Sequence, residues 1–203
     1  VNVETEDKPT LVSDRDLLAD PVIAALLAHV PGVVVQVDHA LGDNAVAYRD
    51  AGGARTRRIA LGAEAAFGPA DVLYGTVAHE VAHHVLGHVD ATPMQRLAYA
   101  GRAALGVMPF LAYFLAGREL WLACAALAVA YGLLTALEGW ILRRVELAAD
   151  ARSVHLLNAT GLDGRMVVRA FLAPETWWKR VASTLWGSHP STAARLRVIA
   201  RQQ

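Results

Sequence analysis

Residues 97–142 constrain the chain most. They hold two apolar runs, 103–117 and 120–137, separated only by Arg118 and Glu119. The second run has 18 residues without a charge, near the lower end of what crosses a bilayer as a helix. The first has 15, and becomes long enough if Arg102 snorkels and the span begins near Leu97. Tyr99, Trp121 and Trp140 stand near the run ends, as interfacial anchors do. Two adjacent runs of this length are costly to bury in 203 residues, so a two-helix transmembrane hairpin is expected over 97–142, in preference to a buried hairpin of a soluble protein. Arg96, Arg102, Arg143 and Arg144 lie at its open ends and only Arg118 at its tip. The positive-inside rule then predicts a protein of the cytoplasmic (inner) membrane with two spans, its flanking segments facing the cytoplasm.

Bulk composition narrows the function classes. Lys plus Arg and Asp plus Glu both number 19, so no basic stripe points to nucleic acid. A single cysteine, Cys124, lies in an apolar run, which excludes a disulfide framework within the chain and argues against a Cys-based metal site. The first residues are acidic and polar, with no basic or apolar leader region, so they do not read as a cleavable signal peptide.

Around the hairpin the chain reads as α+β, mainly α. Residues 1–12 form a polar tail, and 13–203 read as a single domain interrupted by the hairpin. Ser13 with Asp16, and then Asp20-Pro21, are helix-start signals, so a helix is expected over 14–29. Pro31-Gly32 ends it. Three β-like segments follow at 33–37, 45–48 and 57–61, with turns at 42–44 and 51–53. They predict a small antiparallel sheet. Gly68-Pro69 opens a helix that runs to about Val89, with Asp71 favouring its positive N-terminus. Beyond the hairpin, helices are expected at 143–157, 165–172 and 176–185. A last one is capped by Ser191 or Thr192 and ends near Arg201.

The helix after Pro69 carries His79-Glu80-Val81-Ala82-His83. Residues four apart share a helix face, with Cβ atoms about 5–6 Å apart. Two imidazoles so placed can both reach a zinc ion at about 2.0–2.1 Å. Glu80, one step round the helix, can reach a metal-bound water without ligating the metal. Zinc lowers that water's pKa to about 7, so a carboxylate can take its proton at neutral pH. Five residues thus supply two ligands and a base.

A third ligand is needed. A metzincin would have Gly at 86 and His at 89, but the chain has Leu86 and Val89. His88 lies five residues past His83, about 140° round a continuous helix and off the ligand face. His84 also points away, and both are expected as partly exposed helix histidines. Glu146 is the better candidate, since two His and one Glu leave a fourth position open for water. Asp150, four residues on, can accept the second N–H of a ligating histidine. Taken alone, these two acids read as a solvated helix face rather than as a metal site.

The motifs occur in a fixed order: His79 to His88 with the spacing HExxHxxxxH, Glu146 to Asp150 as ELAAD, and His189-Pro190 with Arg195 six residues after that histidine. This order resembles the HtpX-like and CAAX-prenyl-protease-like membrane gluzincins, metallopeptidase family 48, over roughly residues 43–200. The resemblance implies a zincin-like helical catalytic domain with an apolar insertion between its metal-binding helices. It implies one zinc ion held by His79, His83 and Glu146, with Asp150 behind the ligands. It places His189 near the metal, either stabilising the oxyanion or occluding the site at rest, with Arg195 holding that loop. Asn44, Ala45 and Val46 resemble the family's edge strand, to which an extended peptide adds by main-chain hydrogen bonds. The expected activity is a zinc endopeptidase acting on protein or peptide substrates at the membrane, misfolded membrane proteins among them. Two departures stand out: HtpX-like proteins usually carry further membrane helices before the catalytic one, and the His83-His84 doublet is foreign to the pattern.

Two other readings compete. A site-2-type intramembrane protease would join HExxH to the later Leu162-Asp163-Gly164, with Asp163 as third ligand. The helix around His79 carries Asp71, His84, His88 and Asp90, however, and is no apolar span. A non-catalytic metal-binding membrane scaffold would have no use for Glu80 and would close all four metal positions.

Overall fold

The computed structural model describes residues 14–50, 56–90, 121–172 and 190–202, with further helical positions at 99–101, 103, 106 and 107. The polar tail, Ser13, the helix expected at 176–185 and His189 lie outside the described residues, as does most of the first apolar run.

The first expected helix is two: α1 (Asp14–Ala19) and α2 (Pro21–Leu27). The break falls at Asp20, whose ψ of 123° is extended. A residue before proline is pushed out of the helical region by the proline ring. Asp20 then caps α2, one carboxylate oxygen accepting from the N–H groups of Val22 and Ile23 at 2.8 and 3.1 Å. Its other oxygen accepts from the Tyr74 hydroxyl at 2.8 Å, which ties this corner to the central helix.

Strands β1 (Val34–Val37), β2 (Ala45–Arg49) and β3 (Arg57–Leu61) form as expected, but the sheet is mixed rather than antiparallel. Its order is β1-β3-β2. β1 runs parallel to β3 with Val34 opposite Arg58, and β2 antiparallel with Ala45 opposite Leu61. The reason lies between β1 and β2. A tight turn would have paired them, but a 3-10 helix (His39–Leu41) and Gly42 at φ 59° carry the chain across, leaving a slot that β3 fills. β2 is therefore an edge strand.

A short α3 (Ala63–Ala66) leads to α4 (Ala70–Val85), the central helix. Leu73, Val77, Ala78, Val81 and Ala82 are buried on it, among Ile23, Leu26, Ile59, Leu61, Val154, Leu157, Val168 and Ile199. Full burial of each of the larger aliphatic side chains contributes roughly 1.5–3 kcal/mol. A helix buried on most sides has little reason to carry polar groups, yet Thr76, His79, Glu80 and His84 are buried on it too.

α4 ends at Val85, earlier than expected, because Gly87 adopts φ 72°. The Gly87 N–H bonds the His84 carbonyl at 3.2 Å and the His88 N–H bonds the His83 carbonyl at 2.9 Å. This pair of bonds is a Schellman cap, which reverses the chain.

α5 (Trp121–Ala159) has 39 residues and no proline, so the second apolar run and the ELAAD segment form one rod about 58 Å long. Its first half leaves Val129, Leu133, Leu137 and Trp140 exposed; its second half buries Ala149, Asp150, Ser153, Val154, Leu156 and Leu157. Among the described residues it is the one helix long and apolar enough to cross a membrane, and only 6% of the apolar window is buried. Gly101 and Gly106 lie against it. A Cβ on Gly101 would stand 3.2 Å from Leu134, and one on Gly106 3.7 Å from Tyr131, so that segment runs antiparallel to α5. α6 (Gly164–Phe171) and α7 (Thr192–Ile199) complete the described chain.

Candidate active site

α4 presents His79 and His83 one turn apart, and α5 brings Glu146 against them. His79 Nε2 lies 3.1 Å from His83 Nε2. Glu146 Oε2 lies 3.4 Å from His79 Nε2 and Glu146 Oε1 lies 3.4 Å from His83 Nε2. All three ligand atoms fall within 4.8 Å of one another. Bonds of about 2.0–2.1 Å in a tetrahedron hold ligand atoms roughly 3.3 Å apart, so the three groups fit one zinc ion with a fourth position open.

Behind His79 stands a charged chain. Asp150, fully buried, lies 3.1 Å from His79 Nδ1. Arg195 on α7 donates to both Asp150 oxygens, from Nε at 2.7 Å and from an Nη at 2.6 Å. This bidentate pair fixes the carboxylate, and the carboxylate fixes the histidine tautomer with Nδ1 protonated and Nε2 turned to the metal position. Arg195 Nη2 also approaches His79 Nδ1 to 3.5 Å. Both atoms carry protons in that tautomer, so this is proximity and not a bond.

The electrostatics follow from this packing. Burial works against a charge on His79, but the hydrogen bonds to Asp150 and Glu146 outweigh it and raise the imidazole to about 9. Burial would also raise Asp150, yet Arg195 and His79 hold it below its ordinary value. Glu80 is pushed up by burial, offset only in part by His79 and His83.

Two residues in the site carry no signal that sequence reasoning used. The Phe171 ring packs against His79 at 5.6 Å between centroids, and Arg195 lies over its face at 5.4 Å. Phe171 gets there because Gly75, one turn before His79, has no side chain. A Cβ on Gly75 would lie 2.6 Å from the Phe171 Cβ. A glycine inside a buried helix was the available clue, since it costs about 1 kcal/mol against alanine and so points to a close approach.

A cleft of about 420 Å³ opens in front of the cluster, with His79, Glu80, His83 and Glu146 on one side and Asn44 to Ala47 on the other. The main-chain bonds at Asn44–Gly62 and Asp50–Thr56 fix which β2 groups face β3. By alternation the even-numbered residues face β3, and Ala45, Ala47 and Arg49 direct their N–H and C=O to the outer edge. The Ala47 N–H is turned to the Glu80 carboxylate accordingly. Asn44 lines the cleft, but its carbonyl is taken by the Gly62 N–H and its own N–H by the Leu41 carbonyl.

The histidines beyond the motif differ from expectation. His88 is not off to one side. The Gly87 reversal folds it back into the cleft, its ring 5.3 Å from that of His83. Burial and His83 lower it to about 4. His84 does point away from the cluster but is buried rather than exposed, its Nε2 2.9 Å from the Arg58 carbonyl of β3. Asp163 is exposed and caps α6, accepting from the N–H groups of Arg165 and Met166, so it is no third ligand and the site-2-type arrangement fails.

The family model described as Peptidase family M48 matches residues 69–203, about two thirds of the chain. The chain belongs to peptidase family M48. It is therefore a metallopeptidase, and the M48 match spans α4, α5, α6 and α7, every helix that contributes to the cluster. The match does not separate HtpX-like from CAAX-protease-like members of M48. No curated protein and no solved structure gives a significant match.

Proposed function

We propose that the chain is a zinc-dependent endopeptidase of the membrane gluzincin type, with residues 13–203 as one catalytic domain interrupted by a membrane hairpin. The convergence of His79, His83 and Glu146 from two helices carries this reading. Zinc, when bound, would polarise the scissile carbonyl and lower the pKa of a water to about 7. Glu80 takes the proton of the attacking water and passes it to the leaving amine. Its burial suits the first half of that task, because a carboxylate raised from its usual range takes a proton more readily. Asp150 and Arg195 hold His79 in register. The outward main-chain groups of Ala45 and the Ala47 carbonyl bind an extended peptide as an added strand, while Asn44 and Val46, which line the cleft, act through their side chains. His189 is retained as the candidate for oxyanion stabilisation.

The exposed apolar half of α5, and the helical segment packed along it through Gly101 and Gly106, support a membrane hairpin. Glu146 follows Leu142 by four residues, about 6 Å of helix rise. The substrates favoured by that placement are polypeptides in or beside the membrane, with the site on the cytoplasmic face.

The Glu80→Gln variant tests the base. It should keep one metal per chain while peptide hydrolysis falls about 10²–10⁴-fold, measured with a quenched peptide on the detergent-solubilised protein. Unchanged turnover would remove Glu80 from the reaction.

A further inference from the structure

The metal ligands and Glu80 leave His88 without a task, although it lines the cleft with them. Its ring stands at 67° to that of His83, with centroids 5.3 Å apart. It is not one of the three groups whose ligand atoms lie within 4.8 Å of one another. Its Nδ1 is buried and has no hydrogen-bond partner among the described residues. Nε2 is therefore the nitrogen that a molecule in the cleft can reach. A proton on Nδ1 would lack an acceptor, so the neutral ring carries it on Nε2.

We propose that His88 is a substrate-binding residue whose Nε2–H donates to a main-chain carbonyl of the bound peptide, an inference that rests on the peptidase reading of the site. The need for such a donor follows from strand geometry. A peptide paired with β2 keeps the N–H and C=O of alternate residues on that strand and turns those of the intervening residues away. The groups turned away face the wall built by α4 and the loop after it, where His83 and His88 stand side by side. Carbonyls on one edge of a strand recur at every second residue, about 7 Å apart. The scissile carbonyl is one of them and belongs at the metal position. Its neighbour on the same edge is left without a partner unless the protein supplies a donor, and an unpaired carbonyl in a closed cleft weakens binding. Beside the ligand His83, the Nε2–H of His88 supplies it.

The residue is anchored from both walls of the cleft. Its own N–H bonds the His83 carbonyl at 2.9 Å, which fixes the loop to α4. Two residues on, Asp90 pairs with Arg49 of β2 at 3.0 Å, which fixes the loop to the strand opposite. A donor held in this way loses little freedom when the peptide binds, so more of its hydrogen bond appears as affinity.

The experiment uses the full zinc-loaded chain in a neutral detergent, in the Glu80→Gln background so that peptide is bound and not cut. A dye-labelled form of the peptide that the wild-type chain hydrolyses is titrated by fluorescence anisotropy, with His88→Ala or His88→Gln added. Peptide affinity should fall about five- to tenfold in His88→Ala, the loss of one hydrogen bond, and return to within about twofold in His88→Gln, whose amide N–H replaces the donor. Zinc affinity, measured by chelator competition, and the thermal midpoint should match the parent in both variants. A role in metal binding or in holding the loop would move those two readings. Unchanged peptide affinity in His88→Ala overturns the proposal, as does an equal loss in both variants. Weakened zinc binding also overturns it and makes His88 a ligand. Hydrolysis of the peptide by the wild-type chain reports on the peptidase reading separately. Its absence contradicts that reading and the His88 contact with it, whereas hydrolysis together with unchanged binding in His88→Ala contradicts only the contact.

Discussion

His79 faces two demands at once. Its Nδ1 proton is held by Asp150, and its Nε2 is 3.4 Å from Glu146. Without a metal both carboxylates favour the imidazolium, which is why its pKa rises to about 9 despite burial. A metal must displace the Nε2 proton to bind. At pH 7 the metal-free residue is protonated, so zinc uptake should release about one proton from His79. The sign follows: apparent zinc affinity rises with pH, by about tenfold per unit between pH 7 and 9 from this group, and levels off above. Competition with a calibrated chelator at pH 7 and 8 measures it, and an affinity that does not change with pH would contradict the arrangement. Asp150→Ala removes the fixed acceptor behind His79 Nδ1. Zinc affinity in that variant should fall about 10–100-fold, with Glu80 untouched.

At the scale of elements, the close approach of α6 to α4 depends on one missing side chain. Gly75→Ala places a methyl group 2.6 Å from the Phe171 Cβ, so the ring that packs on His79 and under Arg195 must move. Overpacking of this kind costs about 1–3 kcal/mol, and denaturant unfolding should show the loss together with weakened metal binding. Elements of this sort divide what the chain discloses in advance. The three strand positions and the starts of α4 and α7 were legible, because alternation, proline and serine act on their immediate neighbours. The i, i+4 pairing of His79 with His83 was legible for the same reason. Sheet order was not, since a seven-residue connection allows β1 and β2 either to pair or to make room for β3. The place of His88 was missed for a local reason. Helical periodicity alone carries α4 through Gly87, whereas the positive φ of that residue ends the helix and reverses the chain. The meeting of Glu146 with the two histidines spans 63 residues of sequence, and only the resemblance to a known motif order bridged that distance. Phe171 had no such bridge.

On the scale of the whole molecule, α5 is the connecting part. One uninterrupted helix carries an exposed apolar half and, beyond it, Glu146 and Asp150. The helix is continuous between them, so the distance from the apolar half to the candidate metal position is set by helix geometry. The mixed sheet closes the far side of the cleft with Asn44 to Ala47. Arg195 on α7, at the end of the M48 match, locks the cluster from behind. One candidate coordination shell, built from α4 and α5, is therefore the centre of the molecule. A crystal structure of the zinc-loaded Glu80→Gln protein examines it directly. The expected result is a metal bound by His79 Nε2, His83 Nε2 and a Glu146 oxygen at about 2.0–2.2 Å. A metal held instead by His88 or Asp163, with Glu146 turned away, would contradict it.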